Sequence, residues 1–358
     1  MDRPAVGRGG AQGDAEFDLV HADTLRFFPE VVAELGGDPA ALLREAGLDR
    51  VGDGAAVRFR AVAALLELAA ARLQAPDFGM RLAMRQGGAR AFGPMGVVMA
   101  NSNTLGEALD YVTKHVQAYT LAARICLEHE RESRRVAMTL EILLDRLPHR
   151  QQAIEQALLL GRLNAAESTG GLARVREVRL RHRPLSPLRL YRDRFGCEVR
   201  FDQEMDALVF GEQDLQAPVV DPDVQLYEMA TCFIDAKFTR VAPPMHARVR
   251  GLILQHLGGA RCTNEQVAAE LALHPRTLHR RLREEGTSFE AIKDEVRRDQ
   301  ALRYLQDGDL PLTRIAEKLG YAETSVLSRS CFRWFAASPR QLRAQARPPG
   351  GDEHRATG

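Results

Sequence analysis

Apolar residues recur at helical spacing in some stretches of this 358-residue chain and alternate at strand spacing in others. From about Phe17 to Leu48, short helical segments are broken by Gly36, Gly37 and Pro39. Phe59 to Leu73 carries Val62, Leu65, Leu66 and Ala69 on one side, the pattern of an amphipathic helix. Thr104 to Tyr119 predicts another helix. Thr104 and Glu107 have capping-box spacing, and Leu105, Leu109, Val112, Val116 and Tyr119 form its apolar stripe.

The period then changes to two. Ile125 and Leu127 predict one strand, and Val136, Met138, Leu140 and Ile142 the next, with His129–Ser133 as the turn. Gln151 to Asn164 is helical again. Short strands follow at Val175/Val178/Leu180, Val199/Phe201 and Leu208/Phe210, and Pro222 to Phe238 predicts a helix. An α+β or α/β domain is therefore expected over 17–240, after a disordered lead-in over 1–16. Val241-Ala242-Pro243-Pro244 reads as a stop and hinge (241–246), because proline cannot continue the preceding helix. Beyond it no alternation remains, so 247–344 is expected to be all-α. The Pro- and Gly-rich tail, 345–358, is expected to be disordered.

Whole-chain charge is uninformative at +1, but its distribution is not. Ala247 to Ala344 holds 17 Lys/Arg and 12 Asp/Glu, a net of +5, while the remainder is net −4. A basic module on a mildly acidic body fits a polyanionic partner for one half of the chain. Cys126, Cys197, Cys232, Cys262 and Cys331 are scattered, with no C-x-x-C pair, so neither a disulfide scaffold nor a cysteine metal site is indicated. The absence of an 18-residue apolar run argues against a membrane span and makes a cytoplasmic, nucleoid-associated location the expectation.

The basic module repeats itself. Val267-Ala268-Ala269-Glu270-Leu271 returns 48 residues later as Ile315-Ala316-Glu317-Lys318-Leu319, and Leu278/Leu282 return as Leu327/Cys331. Each copy reads as a support helix, a tight turn and a second helix, the helix-turn-helix layout. In the first copy Thr263 and Gln266 can cap the support helix, and Pro275 suits the first position of the second helix. Burying Leu278 and Leu282 leaves Arg276, His279, Arg280 and Arg283 outward, dimensioned for a major groove in which arginine recognises guanine. An arginine-rich surface helix is more often simply solubilising, but the duplicated layout favours double-stranded promoter DNA. In the second copy Thr324, Ser325, Ser328 and Arg329 face outward, while Val326, Leu327 and Cys331 pack behind. Thr287 and Glu290 have the spacing to cap a helix to about Leu305 that separates the readers by roughly 34 Å, one turn of DNA.

The segments LALHPRTLHRRLREEGTSFEAIKDEVRRDQALRYL and IAEKLGYAETSVLSRSCFRWFAASPRQLR resemble the AraC/XylS family of bacterial transcription regulators. FGPMGVVMANSNTLGEALDYV and RFGCEVRFDQEMDALVF resemble the effector-binding domain of its branch with a long N-terminal half. The resemblance implies two readers on adjacent grooves, a small-molecule effector, activation more than repression, contact with RNA polymerase, and possible homodimerisation. It also marks departures. Phe is usual where Leu327 and Cys331 stand, Lys or Arg where Phe332 stands, and a capping Ser where Pro311 stands.

For the effector, the candidate contacts are Met80, Met84, Met95 and Met99, as adaptable pocket walls, and His115 near the apolar side of its helix. Methionine is also ordinary core filler, and a lone helical histidine is more often structural. His129 among Glu128, Glu130 and Glu132 reads as a solvated charge run rather than a metal site. No nucleophile elbow, phosphate loop or zinc-helix motif occurs, so no catalytic residue, cofactor or metal is expected. The alternatives are an architectural DNA-binding protein without an effector and, more remotely, an enzyme fused to a DNA module.

Overall fold

The computed structural model describes residues 17–49, 56–130, 132–145, 147, 150–238, 243–258, 262–307 and 310–346. These form two compact units that divide between Pro243 and Pro244. The expected lead-in over 1–16, and the tail from Arg347 onward, lie outside the described residues, as do Val241 and Ala242 of the expected hinge.

In the first unit, β1 (Val20–His21) pairs antiparallel with β2 (Ala56–Val57). The alternating stretches build a separate sheet. β3 (Ala123–Glu130) pairs antiparallel with β4 (Arg135–Ile142), setting Ile125 opposite Leu140 and Leu127 opposite Met138. β4 pairs with β7 (Asp206–Gly211), and β5 (Val175–Arg179) joins β7 to the short parallel strand β6 (Glu198–Arg200). The order is β3-β4-β7-β5-β6, so consecutive strands are not always neighbours. Strand β3 runs to Glu130, past the predicted turn start at His129. Arg134, at φ 52°, supplies the left-handed residue for which a glycine is the usual choice.

The helices of this unit are α1 (Phe28–Glu34), α2 (Pro39–Glu45), α3 (Phe59–Arg72), α4 (Phe78–Gln86), α5 (Pro94–Ala100), α6 (Leu105–His115), α7 (Gln151–Ser168), α8 (Leu188–Phe195) and α9 (Val224–Phe238). Helix α4 crosses α7 backbone against backbone. A Cβ on Gly79 would lie 2.1 Å from the Gln152 carbonyl oxygen, and the Gln152 side chain accepts from the Gly79 amide at 2.7 Å. Arg150 gives α7 no side-chain cap, so the Glu67 carboxylate accepts from the Gln152 amide instead. Fully buried Phe78, Leu82, Leu65 and Leu66 each contribute about 1.5–3 kcal/mol of burial. Helix α6 is shorter than predicted, ending at His115 before a 3-10 turn over Val116–Ala118. Thr104 caps it by accepting from the Glu107 amide, but the Glu107 carboxylate accepts from Asn103 rather than Thr104, whose backbone bridges to Pro218.

In this unit Glu155 of α7 is wholly buried and accepts from the Tyr191 hydroxyl. Burial pushes its carboxyl up to about 8.

The second unit is all helical among the described residues: α10 (Met245–His256), α11 (Asn264–Glu270), α12 (Pro275–Glu284), α13 (Phe289–Asp307), α14 (Leu312–Lys318), α15 (Thr324–Phe335) and α16 (Pro339–Ala346). Met245 and His246, assigned by sequence to the hinge, are the first turn of α10. The Glu285 carboxylate accepts from both their amides, at 2.7 and 2.8 Å, favoured by the helix dipole. The cap of α13 is also corrected. Ser288, not Thr287, accepts from the Ala291 amide, because the Thr287 amide is committed to Leu282 O in the turn that ends α12. Helix α16 continues through Ala346, two residues past the predicted end of the module.

Candidate functional site

Helices α11 and α14 end in the same way. At α11, Ala272 N bonds to Ala269 O and Leu273 N to Ala268 O, with Ala272 left-handed at φ 53°. At α14, Gly320 N bonds to Glu317 O and Tyr321 N to Ala316 O, with Gly320 at φ 68°. Both are Schellman turns, which satisfy the last helix carbonyls and redirect the chain into the next helix. At the second, a Cβ on Gly320 would lie 2.6 Å from Leu257 O, so glycine is required by space as well as by φ. Arg297 of α13 donates to Leu319 O at 2.9 Å, closing the same turn.

Each turn leads into an outward-facing helix. His274 caps α12 through Nδ1, which accepts from the Arg276 amide, and Pro275 takes its first position. Leu278 and Leu282 are fully buried. Arg276, His279, Arg280 and Arg283, at i, i+3, i+4 and i+7, are all exposed. Of these, Arg280 makes a loose 3.7 Å ion pair with Glu284.

In α15, Leu327 and Cys331 are fully buried and Val326 half-buried. Burial pushes the Cys331 thiol up to about 11, so the group is protonated, apolar filler rather than a nucleophile. Ser325 and Arg329 are exposed, whereas Thr324 and Ser328 are half-buried. Two of the hydroxyls already have partners: Ser325 donates to Glu323 at 2.8 Å, and Ser328 donates back to Thr324 O at 3.1 Å. One turn beyond Ser328 and Arg329, on the same side, stands Phe332 with 62 % of its surface exposed. Pro311 gives α14 no side-chain cap.

The first unit contains a cavity of about 110 Å³. Its floor is Ile125 and Leu140 of the sheet, its roof Leu160 of α7, and its side Met95, Met99 and Val112 of α5 and α6. Of the sequence candidates, Met95 and Met99 line it. Met80 and Met84 do not: Met80 is fully buried elsewhere, and Met84 is 42 % exposed. Nor does His115 line it. His115 stacks on Tyr111 at 3.9 Å between ring centroids, its Nδ1 lies 2.9 Å from Tyr111 O, and its Nε2 lies 3.9 Å from Asp235.

Asn164 was missed as a site residue, since a single polar position on a helix carries no periodic signal. It lines the cavity at 1 % exposure, and among the described residues neither its Oδ1 nor its Nδ2 has a hydrogen-bond partner. Leaving a buried amide unpaired costs about 1–3 kcal/mol. The neighbouring polar lining groups are engaged. Gln156 Nε2 donates to Thr24 O and Gln86 Oε1, and Thr120 Oγ1 donates to Leu19 O. Among the described residues no group of His, Cys, Asp and Glu can hold a metal ion, and no helix is long and apolar enough to cross a membrane.

Comparison with known proteins places both halves. Residues 36–219 match the arabinose-binding domain found at the N-terminus of AraC transcription regulators, and 267–345 match a helix-turn-helix domain. The HTH-type transcriptional regulator VirS of Mycobacterium tuberculosis is 33% identical over 334 residues, covering 91% of this chain and 96% of VirS. The ornithine utilization regulator of Pseudomonas aeruginosa is 26% identical over 284 residues, 75% of this chain and 78% of that protein. The crystal structure of the P. aeruginosa transcriptional regulator CdpR aligns with a TM-score of 0.40 at 21% identity, covering 89% of this chain and 98% of that one. With a matched effector-binding-type domain ahead of a matched helix-turn-helix domain, the chain belongs to the AraC family of sequence-specific DNA-binding transcription regulators, a family of regulators rather than enzymes.

Proposed function

We propose that this regulator responds to a small molecule held in its N-terminal unit, acting more as an activator than as a repressor. The observation that carries the reading is the apolar cavity, a feature for which a DNA reader alone has no use. Arg276, His279, Arg280 and Arg283 read bases or phosphates in one major groove. Thr324, Ser325, Ser328 and Arg329 serve the adjacent groove, more for positioning than for base discrimination. Met95 and Met99 are the methionines that would touch the effector. The ligand regulates by binding the DNA-competent and incompetent states with unequal affinity. Activation implies contact with RNA polymerase, and promoter binding implies a cytoplasmic, nucleoid-associated protein.

Homodimerisation is supported by helix α9, where Leu226, Met229 and Phe233 are exposed at i, i+3 and i+7 and form an apolar stripe. Sedimentation of the full chain across a concentration series tests it, and a monomer throughout would reject it.

The main test is a gel-shift titration of the full chain on its own upstream region and on a random duplex at physiological salt. Tighter binding to the upstream region, changed by a metabolite, is expected. Equal affinity for both duplexes would sink specific regulation. A metabolite that binds but leaves DNA affinity, dimer state and promoter output unchanged would sink the coupling. A promoter fusion that loses output when the protein is removed is expected for an activator, and one that gains output would make it a repressor.

A further inference from the structure

The matched domain is described by arabinose, a molecule of many hydroxyls, and one relative by ornithine, which is charged at both ends. The cavity suits neither. Among the described residues that line it there is no Asp, Glu, Lys, Arg or His, so a charged ligand would enter without a counter-charge from them. A sugar would bring several hydroxyl groups into walls made mainly of Met, Val, Leu and Ile side chains. Yet the cavity is not purely apolar, because Asn164 presents a free carbonyl oxygen and a free amide nitrogen. A lone water can answer Asn164 but leaves the surrounding apolar space unfilled.

Resting on the effector-responsive reading above, we infer that the cavity takes a compact, uncharged, mainly hydrocarbon ligand with a single head that both donates and accepts a hydrogen bond, and that Asn164 is the residue that selects that head. Asn164 can answer such a head with its Oδ1 as acceptor and its Nδ2 as donor, while Met95, Met99 and Val112 surround the hydrocarbon part. A primary amide is the closest complement, since two carboxamides can pair through two hydrogen bonds. An alcohol makes the same contacts with one atom. The volume, about 110 Å³, fits a body of benzene-like size rather than a long acyl chain.

The test is an NMR titration of the full chain with pentanamide, pentanol, pentanoate at neutral pH, benzene, arabinose and ornithine. Pentanamide and pentanol are expected to bind in competition with benzene, while pentanoate, arabinose and ornithine do not bind there. Asn164→Leu is expected to weaken pentanamide roughly tenfold or more while benzene is retained, which also shows that the cavity is still built. If that variant does not fold, Asn164→Ala, which only removes the head, carries the same comparison. Binding of arabinose, ornithine or pentanoate in place of the amide overturns the inference, as does unchanged pentanamide affinity in both Asn164 variants. Failure of every probe to bind also overturns it and leaves the cavity a packing defect. DNA affinity measured on the same samples separates the two levels. An amide that binds through Asn164 without altering DNA affinity upholds the site and removes the regulatory reading.

Discussion

The two helix-turn-helix units share a frame and differ in what they hang on it. At an offset of 49 residues, Arg276, His279, Arg280 and Arg283 of α12 become Ser325, Ser328, Arg329 and Phe332 of α15. The first face is cationic and open to solvent. The second keeps a cation only at the Arg280/Arg329 position, spends two hydroxyls on local partners, and puts an aromatic ring where the first has an arginine. The turns differ in the opposite sense. The first tolerates Ala272 in a left-handed conformation, whereas the second needs Gly320 because Leu257 passes behind it. The Asp294 carboxylate also takes hydrogen bonds from Arg333 and from Trp334 Nε1, tying α15 to the long helix α13. The first unit is thus equipped with reading groups and the second with anchorage.

The largest expected effect lies in the turns. Gly320→Ala adds left-handed strain and a Cβ against Leu257 O, and should destabilise the second unit by about 2–5 kcal/mol in urea unfolding of the full chain. A loss below about 1 kcal/mol would show that the second turn is as permissive as the first. Next, Arg280→Ala should remove about 1–3 kcal/mol of discrimination between target and scrambled DNA, while Arg329→Ala weakens both alike. Equal weakening by the Arg280 change would erase the distinction between reader and anchor. Ala272→Gly should stabilise by about 0.5–1 kcal/mol in the same urea assay, as strain relief exceeds the added chain entropy. A loss of stability would mean that Ala272 carries no strain. The smallest effect belongs to Phe332→Lys, which restores a cation to the second face. The slope of log affinity against log salt should steepen by about 0.9. An unchanged slope would place position 332 away from the phosphates.

Local patterns were the most legible in the sequence. Leu278/Leu282 and Ile315/Leu319 announce their helices within a few residues, and the exposed positions of α12 follow once those leucines are buried. The β3–β4 pair was legible for the same reason. The insertion of β7 between β4 and β5 was not, since strand neighbours distant in sequence leave no periodic trace. The cap of α13 was misplaced by one residue because Thr287 and Ser288 both suit an N-cap, and only the turn ending α12 decides between them. Met84 shows the limit for the cavity. Its spacing from Met80 implies a shared wall, yet only the packing of α4 against α7 determines which methionines meet empty space. Asn164 was invisible until that space existed.

The carboxyl of Glu155 makes the proton itself a ligand of the folded N-terminal unit. Buried under Tyr191, with His182 Nε2 at 3.6 Å and the acidic Glu67 and Asp77 adding to the effect of burial, it holds its proton up to about 8 against an ordinary 4.5. Below 4.5 both folded and unfolded chains carry that proton, and the folded state has its full advantage. Between 4.5 and about 8 only the folded chain does, so folding takes up a proton and stability falls as pH rises; above about 8 the dependence ends. Glu155→Gln, which can still accept from Tyr191 but never ionises, should flatten the melting temperature of the unit across that window. A slope identical to that of the unaltered chain would show that the carboxyl is already ionised in its buried place.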